Sequence, residues 1–262
     1  SETATTVEKT DYGFYFKADT NVTITARDDA PTSGIKSITY YTVDVGSGKS
    51  TEKTTLVNAN NQITFTVPAN FKGQIYAKAT DNVDNTAAEF VNPNSAIVEN
   101  AAKHEEEAHI AFEKAETTFK ANDGIELYAK DVPVQITVSD TYSGIRSIEW
   151  SVVAPFNTDN NQSGKVVLNN DKTVTADSDT DWEQSKTEVN LVTEMKKTVT
   201  VNNNSNNIIV KVTMVDRAGN TSEKQIEISI DKTKPVIDVV YDNNTPDATF
   251  NDFYKADRTA TI

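Results

Sequence analysis

Apolar residues along this chain recur at every second position over short runs, then stop at clusters of polar turn formers. Val22, Ile24 and Ala26 alternate with Thr23, Thr25 and Arg27, and Val134, Ile136 and Val138 alternate with Gln135, Thr137 and Ser139. The same period of two marks Ile63, Phe65 and Val67, then Val199 and Val201, Val210 and Val212, and Ile226, Ile228 and Ile230. Successive side chains of a strand point to opposite faces, so each run predicts a strand with one buried and one wet face. Turn formers at 28–34, 58–61, 81–85, 202–207 and 216–220 separate the runs. About seven short strands per unit predict two sheets packed face to face.

The pattern repeats. FYFKADTNVTI (14–24), LYAKDVPVQI (127–136) and DFYKADRTATI (252–262) are copies of one stretch, with the second a residue shorter between Lys130 and Ile136. Downstream, SGIKSI (33–38) matches SGIRSI (143–148), each followed in register by an aromatic, Tyr40 or Trp150, expected to face the core. YAKATDNVDNT (76–86) matches VTMVDRAGNTS (212–222). A tight turn closing two strands needs a residue at positive φ; Gly219 suits the second copy and Asn85 is the expected choice in the first. Self-similarity at this spacing predicts a tandem array: one domain over 1–98, lacking its first strand; a second over 99–232 with extra residues at 156–196; and the opening strands of a third over 233–262.

One segment opposes this reading. Residues 101–121, AAKHEEEAHIAFEKAETTFKA, are rich in strong helix formers. The repeat places a first strand there, expected over His109–Lys114, with 99–107 an exposed connector that has room for a helical turn. HEEEAH at 104–109 is not the zinc-protease signature, which needs histidines at i and i+4. His104 and His109 are five apart, about 140° out of line on a helix, and they are the only histidines in a chain without cysteine. The connector is expected to be polar and solvated.

DKTKPVIDVVYDNN (231–244), the FYKADRTATI opening, SGI after a strand-end aspartate and VDRAGN before the last strand together resemble bacterial Ig-like repeats. The likeness covers nearly the whole chain, but departs from the pattern at 99–125 and at 156–196. It implies an all-β fold of tandem immunoglobulin-like β-sandwiches in a cell-surface or secreted protein of a Gram-positive bacterium. The implied role is a non-catalytic extracellular stalk or adhesion segment, a monomeric rod whose partners are host or cell-wall glycans or proteins. The alternative is a carbohydrate-binding accessory region of a secreted carbohydrate-active enzyme.

Charge narrows the partners. A net charge of −14 disfavours nucleic acid, which lysine and arginine must neutralise, and anionic lipid. No apolar run is long enough to span a bilayer. Absence of cysteine excludes disulfides and a thiol nucleophile. Abrupt ends suggest a fragment. No catalytic residues are expected, because the paired carboxylates, among them Asp177, Asp179 and Asp181, lie in turn-like solvated stretches where their pKa values should stay ordinary.

Three further sites can be read from the residues. If the second and sixth strands end at one pole, Asp28 and Asp29 approach Asp81 and Asp84, and Asp140 approaches Asp216. The linker would bring Glu105, Glu106 and Glu107 to the latter pair. Calcium takes six to eight hard oxygens, so these carboxylates are its candidate ligands; the alternative is that they cap turns through backbone N–H groups. Trp182, in the polar stretch DSDTDWEQS, is the candidate glycan contact, with Tyr12, Phe14 and Phe16 behind it. Lys17 and Lys130 are candidates, by strand position only, for an internal lysine–asparagine crosslink, and simple exposure explains them better.

Overall fold

The computed structural model of the chain describes residues 8–9, 13–117, 119–188, 191–241 and 259–261. It is an all-β sandwich protein; among the described residues the only helical elements are α1, Ala101–Glu107, and a 3-10 turn, Thr158–Asn160. Tyr12, residues 252–258 of the third copy and Ile262 lie outside the described residues.

Strands before residue 99 form a first body. Its large sheet runs in the order Glu8–Lys9, Gly13–Phe16, Ser95–Val98, Phe71–Asp81, Ile35–Asp44, Gly48–Lys49; two short strands also join it, Lys53–Leu56 on Ile35–Asp44 and Phe90–Val91 on Phe71–Asp81. Opposite lies an antiparallel pair, Thr20–Thr25 with Gln62–Val67. The two faces meet where the alternation predicts: Val22, Ile24, Phe65 and Val67 pack against Phe71, Ile75, Ala96 and Val98. Tyr40 stacks on Phe65 across the gap, ring centroids 4.1 Å apart. Offset ring contacts of this kind add to the burial of both side chains.

The second body has a four-stranded sheet, Ala108–Lys114, Val132–Asp140, Leu191–Val201, Glu183–Glu188, and a six-stranded one, Phe119–Lys120, Glu126–Tyr128, Thr221–Ile230, Ser205–Asp216, Ile145–Val153, Gln162–Val167. Val134, Ile136 and Val138 from one sheet and Ile148, Trp150, Val210, Val212 and Met214 from the other close a single core. Val240–Tyr241 pairs with Ala260–Thr261 beyond it.

Local expectations meet mixed outcomes. The first strand of the second body, Ala108–Lys114, pairs antiparallel with Val132–Asp140 despite its helix-forming composition. Pairing along the whole strand outweighs a propensity worth a few tenths of a kcal/mol per residue. The connector before it is a seven-residue helix and is not simply exposed, since His104 on it and Glu99 before it are buried. The left-handed residue of the first-copy turn is Asp84 (φ 67), not Asn85. Its counterpart is Gly219 (φ 86). Putting the positive φ one residue earlier lets Asn85 turn its amide back onto Asp81 Oδ2 (2.9 Å), as Asn220 does onto Asp216 Oδ2 (2.9 Å).

The two bodies touch end to end. Ser95–Val98 leads directly into α1, and Tyr15 and Ile97 of the first body pack on Leu191 and Tyr142 of the second. Lys72 Nζ donates to the Tyr142 carbonyl at 2.8 Å and Lys17 Nζ to the Gly219 carbonyl at 3.2 Å.

Candidate functional site

Four groups converge where the bodies meet. Glu99 follows the last strand of the first body, His104 sits on α1, and Asp140 and Asp216 end two strands, one from each sheet of the second body. Their relative exposures are 0%, 3%, 0% and 0%. One donor atom from each lies within 4.8 Å of the others.

Backbone geometry aims these side chains. Asn100 caps α1 by accepting from Lys103 N at 2.9 Å, which fixes the start of the helix and turns the residue one turn on, His104, inward. Exposed His109 leaves on the following strand, so the two histidines of HEEEAH part company. Asp140 Oδ1 accepts from the backbone N–H groups of Tyr142, Ser143 and Gly144 at 2.9, 3.0 and 3.0 Å. Gly144 has φ 82, which explains the glycine of the SGI motif. Asp216 Oδ1 accepts from Asn220 N at 2.7 Å. Glu99 Oε2 accepts from Ser143 N at 3.0 Å, and Asn220 Nδ2 donates to the Glu99 carbonyl at 2.9 Å.

What remains points inward. His104 Nδ1 stands 2.8 Å from Asp216 Oδ2, 3.5 Å from Asp140 Oδ2 and 3.9 Å from Glu99 Oε1. Glu99 Oε1, Asp140 Oδ2 and His104 Nδ1 are buried without a hydrogen bond of ordinary geometry. The other imidazole nitrogen, Nε2, is 2.9 Å from Ser222 Oγ. Burial, reinforced by the charge of Asp140, pushes the Glu99 carboxyl up to about 8. Burial works against a charged imidazole, but Asp140 and Asp216 outweigh it and raise His104 to about 9. Crowded carboxylates around an imidazole at this burial can hold a proton or a cation; either relieves their repulsion.

The six aspartates read from sequence divide. Asp140 and Asp216 come together, but the linker contributes Glu99 and His104, not the trio 105–107. Glu107 instead bonds the Thr141 hydroxyl and pairs with Lys103. At the far pole of the first body, Asp28 Oδ2 caps Ser33 and Gly34 N–H at 2.9 Å each, and Asp81 Oδ1 caps Val83 and Asn85 N–H. Asp29 turns to Arg27 (3.0 Å) and Asp84 to Lys36 (2.6 Å), so these four form no shared oxygen cage. Glu99 and His104 escaped the sequence reading because nothing local marks them. Asn100 before a run of helix formers was the available signal, since a capped helix fixes which residue one turn later faces the second body.

Trp182 is a correction. It is 5% exposed and belongs to the second core, so it presents no face to a sugar. Residues 156–196 supply an edge strand, Glu183–Glu188, and Trp182 just before it closes the apolar interior, a greater gain for a large ring than solvation. Phe16 packs into the first core and Phe14 is half-buried. Asp179 is no solvated ornament either. Burial raises its carboxyl, but Lys197, the N–H of Asp181 and the indole of Trp150 together hold it below the usual carboxylate range. Lys17 and Lys130 are exposed. No protein-family model and no curated protein matches the chain.

Proposed function

We propose that the chain is a non-catalytic stalk and adhesion segment of an extracellular bacterial surface protein, built from tandem Ig-like sandwiches. The observation that carries this reading is the junction: the last strand of one body feeds a short helix that docks on the pole of the next, placing the bodies in series. Strand order supports it. In the second body Ala108–Lys114, Val132–Asp140, Leu191–Val201 and Glu183–Glu188 form one sheet, and in the other Glu126–Tyr128 lies parallel to Thr221–Ile230, an order similar to that of immunoglobulin sandwiches. Buried Trp150 stands on the strand Ile145–Val153. The negative charge suits a spacer, since neighbouring copies repel one another.

Small-angle scattering tests the arrangement. An elongated particle with a radius of gyration clearly above the roughly 18 Å of a compact chain of this length is expected; a value at that limit would sink the proposal. A second reading, a carbohydrate-binding accessory region, draws on one feature. Tyr41 and Tyr76 stack at 4.8 Å as a directly opposed cross-strand pair on the outer face of the first body. Lys49 already covers a Tyr41 face at 3.8 Å, so the pair offers little free ring. Glycan binding that disappears with Tyr76→Ala would favour this second reading.

A further inference from the structure

We infer that the cluster Glu99, His104, Asp140 and Asp216 is a binding site for one divalent transition-metal ion, zinc by preference, which ties the two bodies together. Three observations converge on an ion. Each carboxylate has one oxygen fixed by a backbone N–H at 2.7–3.0 Å and turns its second oxygen toward His104, that of Asp216 also accepting from Asn220 Nδ2 at 2.9 Å. Two of the inward atoms, Glu99 Oε1 and Asp140 Oδ2, are buried and have no hydrogen bond, and His104 Nδ1 has the close approach of Asp216 Oδ2 at 2.8 Å. The imidazole–carboxylate separations of 2.8, 3.5 and 3.9 Å bracket the spacing of about 3.4 Å between neighbouring tetrahedral ligands at about 2.1 Å from one ion.

The donor set selects the ion. Calcium takes six to eight oxygens and makes little use of imidazole; four inward donors that include a ring nitrogen suit a smaller, softer cation. His104 Nε2 next to Ser222 Oγ has the outer contact that orients a ligating histidine. Glu99 and His104 arrive on the connector, Asp140 and Asp216 on strands of the second body, so a bound ion spans both sides of the junction. The site does not depend on the chain being a stalk, because binding is measured on the isolated protein.

The test is titration of metal-stripped protein with zinc, manganese and calcium chlorides, followed by calorimetry and elemental analysis. One zinc per chain is expected, bound at least tenfold more tightly than calcium, with zinc–nitrogen and zinc–oxygen distances of about 2.0–2.2 Å in X-ray absorption. His104→Gln and Glu99→Gln should each weaken zinc at least tenfold, while His109→Gln, on the exposed histidine, should leave it unchanged. If either buried variant unfolds, the other variant and the absorption spectrum of the parent protein still decide. Absence of stoichiometric zinc, equal affinity in His104→Gln, or preference for calcium would overturn the assignment.

Discussion

Gly164 shows how one missing atom supports the second core. It lies opposite Trp150 on the neighbouring strand, and a Cβ there would sit 2.6 Å from Trp150 Nε1 and 2.9 Å from Asp179 Oδ2. Gly164→Ala should therefore cost about 1–3 kcal/mol by overpacking, read as a lower midpoint in urea with an unchanged slope. Above it, Trp150 Nε1 donates to Asp179 Oδ2 at 2.8 Å, and Lys197 Nζ pairs with the same carboxylate at 2.9 Å while lying 4.9 Å from the ring centroid. Asp179→Ala leaves the buried Lys197 ammonium only the exposed Asp181 carboxylate at 3.6 Å, and should lose about 2 kcal/mol at neutral pH. The acid side follows from the lowered Asp179 carboxyl. Its contribution is complete above the unfolded value of about 3.9 and is lost as pH falls through the lower folded value. Wild type should thus shed this increment only below about pH 3.9, and Asp179→Asn should remove that part of the decline. An unchanged acid profile in the variant would refute the network's role.

At the scale of elements, α1 is informative because it is too short to persist alone. Isolated helices under about 12 residues are marginal in water, so its seven residues hold through the Asn100 cap, the Lys103–Glu107 pair (2.7 Å) and the burial of His104. Asn100→Ala should cost about 1 kcal/mol. Hydrogen exchange should speed up across 101–107 while strand Ala108–Lys114 stays protected by its ladder; equal acceleration in both would mean that helix and strand open as one unit. The alternation of Val134, Ile136 and Val138 was legible in sequence because a strand face is a local property. Glu99 was not, since its burial depends on the pole of a body whose strands come later in the chain.

For the whole molecule, the contact of Tyr15 and Ile97 with Leu191 and Tyr142 decides how freely the bodies move. Leu191 is almost fully buried there. Leu191→Ala should cost about 2–4 kcal/mol and widen the distribution of interdomain distances in scattering, leaving the strand content of both bodies intact by circular dichroism. A distance distribution identical to wild type would show that this apolar contact does not limit the motion of the bodies.

The sequence by itself determined the strands and the all-β sandwich character, because period-two hydrophobicity and turn chemistry act within a few residues. The aspartates that cap the SGI and Asp-Asn or Gly-Asn turns were equally visible, each bonding to backbone only a few positions away. Tertiary structure alone decided that Trp182 is interior, that Asp179 anchors a buried lysine, and that Glu99 and His104 meet Asp140 and Asp216. Those partners are far apart along the chain, and only the docking of one body on the next excludes the water that would otherwise keep their charges apart.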